Sequence, residues 1–274
     1  QIQTNKLHRI LERFAVIDMA DRLDEAHWTL ISTMLPRDSA QYRKLVATLR
    51  ALKVHGGVPA LKSAAPDAGA LHRGLGNLRK HLESVRGFGI EPVVLLNLRP
   101  EDAQDEVQLV IDDLRGDGVD AVPADVYGRG GDGAVAVAER VLARAQSATS
   151  SPHYMYDLTD PPMDKIRKVA QRIYGAGDVD FSVTAKKQLD RASALGYGEL
   201  PICMAKTHLS LSDDEKLVGR PRNFDMTIRE VRIAAGAGFL VPLTGEILTM
   251  PGLPKSPHAA DIDLLPDGTT VGVQ

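Results

Sequence analysis

The run V-A-T-L-R-A-L-K-V-H-G-G, residues 46–57, decides how the rest of the chain is read. Val46, Thr48 and Leu49 suit a pleated surface, and Gly56-Gly57 lets the backbone turn without a Cβ penalty. A strand closed by a glycine turn is therefore predicted, with Arg50, Lys53 and His55 gathered at the mouth of the turn. Two cations and an imidazole beside exposed backbone N–H groups attract a carboxylate or a phosphate, which makes Gly56 and Gly57 anion-binding positions. A solvated strand end accounts for the same residues equally well.

Downstream of this run, Leu71, Leu75, Leu78, Leu82 and Val85 recur at helical spacing and predict an amphipathic crossover helix. Val93-Val94-Leu95-Leu96 is a continuous apolar run, as expected of a buried parallel strand, and it ends at Asn97. Within 101–114, Val107, Val110, Ile111 and Leu114 mark another helix; Ala121-Val122 opens the next strand, and a helix follows over 134–145. Alternating strands and helices build βαβ units, so the fold class is α/β, a parallel sheet flanked by helices.

The segment Q-S-A-T-S-S-P, residues 146–152, has little to bury and ends in proline, and it is read as a domain boundary. Beyond it, Ile166, Val169, Ala170 and Ile173 define a helix closed by Gly175. Strands are expected at 179–181, 200–205, 224–233 and 239–243, with a helix at 184–194. Together they make a smaller C-terminal α+β domain. Four prolines, Pro251, Pro254, Pro257 and Pro266, predict an ordered loop for the tail. Upstream, Leu7, Ile10, Leu11, Phe14 and Ile17 trace a helical stripe, and residues 24–45 read as a helix and a linker. The expected division is a helical segment 1–45, an α/β domain 46–150 and a C-terminal domain 151–274.

Thirty-three Lys and Arg stand against 36 Asp and Glu, so no basic field points to nucleic acid. The single cysteine, Cys203, forms no internal disulfide and fits a reducing compartment. No apolar run approaches the roughly 18 residues of a membrane span. The first residues carry no signal-peptide pattern, and a cytoplasmic location is expected. His153, His208 and His258 have no second ligand at metal spacing, so no metal site is predicted. Cys203 reads as a small apolar residue of a buried strand, while Lys206-Thr207-His208 at that strand's end is a functional candidate or a structural hydrogen-bonding group.

Open parallel sheets bind ligands outside the carboxyl ends of their strands, and three such ends, 50–57, 97–102 and 125–133, are expected to converge. The Tyr127 ring can stack on a flat heterocycle, or simply pack beside a mobile glycine turn. The glycine cluster around Gly130 and Gly131 can cradle an anion at a helix start, although no Lys-Ser or Lys-Thr follows it.

Residues 46–57 closely resemble a signature of the formate-tetrahydrofolate ligases, V-A-T-(I/V)-R-A-L-K-x-H-G-G, departing from it only at Leu49. L-P-I-C-M-A-K-T-H-L-S-L-S from Leu200 and F-L-V-P-L-T-G-E-I-L-T-M-P-G-L-P from Phe239 are similar to later blocks of the same family, in the family's order. A-D-V-Y-G-R-G-G around Tyr127 resembles the family's D-V-W-A-K-G-G, whose tryptophan stacks on the pterin of tetrahydrofolate. Asn97 to Asp102 occupies the place of N-(R/V)-F-(P/K)-T-D-T, where the phenylalanine forms the other side of that sandwich; this chain has Arg99 there. A guanidinium plane also stacks on aromatic rings.

The resemblance implies a ligase that makes formyl phosphate with ATP and passes the formyl group to N10 of tetrahydrofolate, giving 10-formyltetrahydrofolate. It implies catalytic roles for Arg50, Lys53 and His55, folate contacts for Asn97, Arg99 and Tyr127, and anion contacts for Gly56, Gly57, Gly130 and Gly131. The family's P-loop is missing, since no G-x-x-x-x-G-K-(S/T) occurs in these 274 residues. ATP and Mg are therefore expected only if a partner supplies the P-loop, in a homo-oligomer or a hetero-oligomer with a P-loop-containing subunit. The alternatives are a non-catalytic folate-binding or regulatory scaffold, and an enzyme using a preformed one-carbon donor.

Overall fold

In the computed structural model, residues 44–147, 153, 155–244, 262–266 and 270–271 are described. The expected helix in the first 23 residues, the helix and linker up to residue 43, most of the 146–152 boundary and most of the C-terminal loop lie outside them.

The first strand, β1 (Lys44–Ala47), is followed at once by helix α1 (Leu49–His55). The strand predicted over 46–57 is thus corrected: Val46 and Ala47 alone belong to the strand, and the extended Thr48 leads straight into the helix. Thr48 stops the strand because its hydroxyl accepts the Ala51 N–H at 3.1 Å and caps the helix. The following L-R-A-L-K is made of strong helix formers, and Leu49, Leu52 and Lys53 fall on one buried face.

Helix α2 (Ala68–Gly87), capped by Asp67, crosses over to β2 (Val93–Asn97). Helix α3 (Gln104–Gly116) leads to β3 (Asp120–Ala124), and a single turn, α4 (Val126–Arg129), leads through a 3-10 turn to α5 (Val135–Ser147). The sheet order is β1-β2-β3, all parallel, with Val46 opposite Leu95 and Leu95 opposite Val122. One face of the sheet packs on Leu71, Leu75, Leu78, Val107, Val110 and Leu114; the other packs on Val137 and Val141. Helices therefore cover both faces, as βαβ connections require.

Helix α6 (Pro162–Val169) runs into a π-helical turn, Ala170–Tyr174, and Gly175 closes it in the left-handed conformation. Strand β4 (Val179–Phe181), helix α7 (Val183–Ala194) and β5 (Met226–Ile228) form a parallel pair with its crossover helix. Strands β6 (Glu230–Ala234) and β7 (Phe239–Leu243) make an antiparallel hairpin. Two sequence expectations are corrected here. The strand expected over 224–233 is two strands in different sheets, broken at Arg229. The strand expected over 200–205 is reduced to two isolated bridges, Ile202 with Leu240 and Ala205 with Leu243. Ile166, Tyr174, Phe181, Leu189, Ile202, Met226 and Leu240 share a second core, separate among the described residues from the core of β1-β2-β3.

The two halves meet along α2. Asn77, Lys80 and Ser84, one helical stripe, are all buried and turn their polar ends to backbone carbonyls: Asn77 to Gly219 at 2.8 Å, Lys80 to Arg172 at 2.7 Å and Ser84 to Ile173 at 3.0 Å. The Arg172 and Ile173 carbonyls belong to the last turn of a helix, where the helix itself offers no donor.

Candidate functional site

Parallel order places the carboxyl ends of β1, β2 and β3 side by side, and the loops leaving them touch. Arg50, in the first turn of α1, forms an ion pair with Glu101 of the loop after β2. The Leu98 N–H donates to the Ala124 carbonyl at 2.9 Å, tying the ends of β2 and β3 together. The Arg99 guanidinium lies over the Tyr127 ring, 4.8 Å from its centroid. Each loop is braced by an aspartate: Asp102 accepts the Arg99 N–H at 2.8 Å, and Asp125 accepts the Gly128 N–H at 2.8 Å. Arg50, Asn97, Arg99 and Tyr127 all stand at the carboxyl end of the sheet, where open parallel sheets form their binding crevice.

Lys53 and His55 are not brought to it. Because the segment is a helix, His55 turns away from Arg50, while Lys53, one turn on from Arg50, is drawn into the core, and the expected cluster at a turn mouth does not form. Lys53 is 1% exposed and its ammonium meets the Glu106 carboxylate at 2.7 Å and the Ala65 carbonyl at 2.9 Å. Glu106 also accepts the Asp67 N–H at 2.6 Å, so this buried pair fastens α3 to α1 and to the start of α2. His55 sits at the last turn of α1, and its Nδ1 accepts the Gly219 N–H at 3.2 Å.

The glycines divide similarly. The Gly56 N–H closes α1 onto the Leu52 and Lys53 carbonyls, and the Gly57 N–H bonds the Val54 carbonyl, so these donors are spent on capping the helix. A Cβ on Gly56 would come within 2.0 Å of the Ala70 carbonyl oxygen, which shows that α1 and α2 need a bare backbone there. Gly130 and Gly131 are exposed beside Tyr127; Gly130, at a φ of 54°, spends its N–H on the Val126 carbonyl in capping α4, so of the two only Gly131 is left as an anion-binding candidate.

Two polar atoms at the crevice are buried without a hydrogen-bond partner among the described residues: Nε of Arg50 and Oδ1 of Asn97. They are a donor and an acceptor at the ends of neighbouring strands, and the loop after the third strand carries a Tyr127 ring that is 65% exposed. Such atoms are rare in folded chains and costly to leave unpaired. Nothing at the level of spacing or composition could have singled them out, whereas their residue types were visible in the motifs.

Among the described residues no group of three His, Cys, Asp or Glu side chains gathers to hold a metal ion. The crevice has no lysine-bearing glycine loop that fits a triphosphate, so the residues present do not make an ATP cradle. No helix among those described is long and apolar enough to cross a membrane. Lys206 is buried, 4.9 Å from the Tyr174 ring centroid, with its ammonium on the Thr207 carbonyl at 2.6 Å and on that of Ser210. That satisfies the structural alternative for this residue.

A family described as formate--tetrahydrofolate ligase matches residues 26–274. The formate--tetrahydrofolate ligase of Myxococcus xanthus is 47% identical over 232 residues, which cover 84% of this chain and 42% of that protein. That of Renibacterium salmoninarum is 45% identical over 229 residues, again 84% of this chain and 40% of the relative. The chain spans about two-fifths of the length of these relatives. With the parallel sheet, the joined strand-end loops and a match over most of its length, the chain belongs to the formate-tetrahydrofolate ligase family.

Proposed function

We propose that this chain is the folate-facing part of a formate-tetrahydrofolate ligase that forms 10-formyltetrahydrofolate from formate, ATP and tetrahydrofolate, with a partner subunit supplying the P-loop. The observation that carries the reading is the pair of buried, unpartnered atoms Arg50 Nε and Asn97 Oδ1 at the same sheet end as the exposed Tyr127 ring. A pterin is flat and carries donors and acceptors along one edge. Stacked on Tyr127, it offers partners to polar atoms that otherwise cost about 1–3 kcal/mol each.

In this reading Tyr127 and Arg99 hold the ring, and Asn97 reads its edge. Arg50 exchanges Glu101 for the anionic group of formyl phosphate. N10 attacks the formyl carbon, the N–C bond forms, the C–O bond to phosphate breaks, phosphate leaves and the amine proton is released. Arg50 stabilises the charge that gathers on the departing phosphate, and Gly131 offers it a backbone donor. Lys53 acts by fixing α1 through Glu106 rather than by touching substrate. The division at 46–150 and 151–274 and the cytoplasmic setting belong to the same proposal.

A second reading, a folate-binding or regulatory scaffold without ligase activity, is favoured by the Arg99 guanidinium already resting on the ring that would take the pterin. Calorimetric titration of tetrahydrofolate into the purified chain, beside Tyr127→Ala, tests the binding both readings need. Heat of binding from the parent and none from the variant is expected. No binding by the folded parent removes folate as its ligand. Addition of a P-loop-containing partner with ATP and formate then separates the readings, since only the ligase yields 10-formyltetrahydrofolate.

A further inference from the structure

We propose that the segment around Gly219, in the C-terminal half, is a latch that positions α1, and with it Arg50, through His55. This goes beyond the proposed function but rests on it where ligand binding is concerned.

Four contacts build the latch. The Gly219 N–H donates to His55 Nδ1 at 3.2 Å, and the Gly219 carbonyl accepts from Asn77 Nδ2 at 2.8 Å. Arg220 grips Glu83 through both guanidinium arms, at 2.7 and 2.6 Å. Gly219 itself has a φ of 78°, and a Cβ on it would lie 2.8 Å from the His55 carbonyl oxygen. Only glycine combines that backbone conformation with so close an approach. One residue therefore bonds the ring and lies close against the main chain of the last residue of α1.

The chemistry follows from the direction of the first bond. A backbone N–H can only donate, so Nδ1 of His55 is the acceptor and the neutral ring carries its proton on Nε2. Helix α1 has seven residues, and Arg50 is its second. So short a helix moves as a unit, and fixing its last turn fixes the direction from which Arg50 enters the crevice. Gly219 and Arg220 are positioning residues; neither lies among the groups that meet at the crevice.

The test uses the full chain labelled with 15N. In the parent, imidazole spectra should show His55 with Nδ1 unprotonated and Nε2 protonated, and the Gly219 amide should exchange slowly with solvent. Arg220→Gln, at a partly exposed site, should speed Gly219 exchange about tenfold or more, mix the two ring tautomers and shift the Arg50 Nε resonance. The fold, read from the methyl spectrum, should stay intact. Asn77→Ala serves as the second variant and should act in the same direction. If His55 carries its proton on Nδ1 in the parent, or if neither variant changes Gly219 exchange, the latch is wrong. If the latch opens and Arg50 Nε does not shift, its positioning role is wrong.

Tetrahydrofolate affinity is measured on the same samples. A severalfold loss in Arg220→Gln is expected, and an unchanged affinity overturns the coupling to the site. If the parent binds no tetrahydrofolate while Arg50 Nε still responds to latch opening, the latch stands and the folate reading fails.

Discussion

Buried polar groups at two places in the molecule are treated in opposite ways. In the C-terminal half Lys165 is fully buried, yet its ammonium donates to three carbonyls, those of Leu158, Gly198 and Leu200, at 3.1, 2.7 and 2.9 Å. Burial pushes its pKa down, and no carboxylate touches it. At the strand ends of the parallel sheet, by contrast, Arg50 Nε and Asn97 Oδ1 are buried and unpartnered. A saturated group stabilises a scaffold. An unsaturated one at the mouth of a sheet is the mark of a place where a ligand completes the bonding.

The largest effect expected from this contrast is on folding. Lys53→Met leaves the Glu106 carboxylate buried without its cation, and urea unfolding should show a loss of about 3–5 kcal/mol. A loss below about 1 kcal/mol would mean that the pair is solvated and that α1 is held by something else. Asn97→Leu moves stability the other way. Removing an unpaired acceptor should raise the unfolding free energy by about 1–3 kcal/mol while abolishing calorimetric tetrahydrofolate binding. If the variant is destabilised instead, Asn97 Oδ1 is satisfied in solution and the contrast with the Lys165 site weakens.

Arg99→Phe sharpens the comparison at the crevice itself. It replaces the guanidinium on the Tyr127 face with a ring, and tetrahydrofolate affinity should rise about tenfold, about 1.4 kcal/mol. An unchanged affinity would mean that Arg99 stacks on the pterin as well as phenylalanine does. The smallest effect lies in the C-terminal half. The Thr159 backbone N–H holds the Asp157 carboxylate low, and the hydrogen bond from Lys168 does the same for Asp160. Carboxylates depressed in the folded state stabilise it above the ordinary aspartate value of 3.8, and that contribution disappears as pH falls through their lowered values. Thermal unfolding should show a modest acid loss that is smaller in Lys168→Met; an identical acid profile would place the acid sensitivity elsewhere.

Much of the fold was legible because burial follows spacing. The stripe Leu71, Leu75, Leu78 and Leu82 predicted α2, and Val93 to Leu96 predicted β2, since each periodicity matches one backbone geometry. Reading residues 46–57 as a strand failed because Thr48 followed by L-R-A-L-K carries a cap and helix formers, a local signal outweighed by the paired glycines downstream. The site was legible as residue types at strand ends. Its division, with Arg50 in the crevice, Lys53 in a buried pair and His55 at a latch, was not.

By itself, then, the sequence determined the α/β class, the parallel sheet and the family, because these rest on periodicity and on motifs local in the chain. Only the tertiary structure decided which polar groups are satisfied and by what. Lys53 meets Glu106, His55 meets Gly219, and Asn77, Lys80 and Ser84 are buried on a helix face that alone would read as solvated. The reason is that a hydrogen bond is fixed by a partner's position within about 3 Å. For residues as far apart in the chain as His55 and Gly219, that position exists only once the two halves have packed.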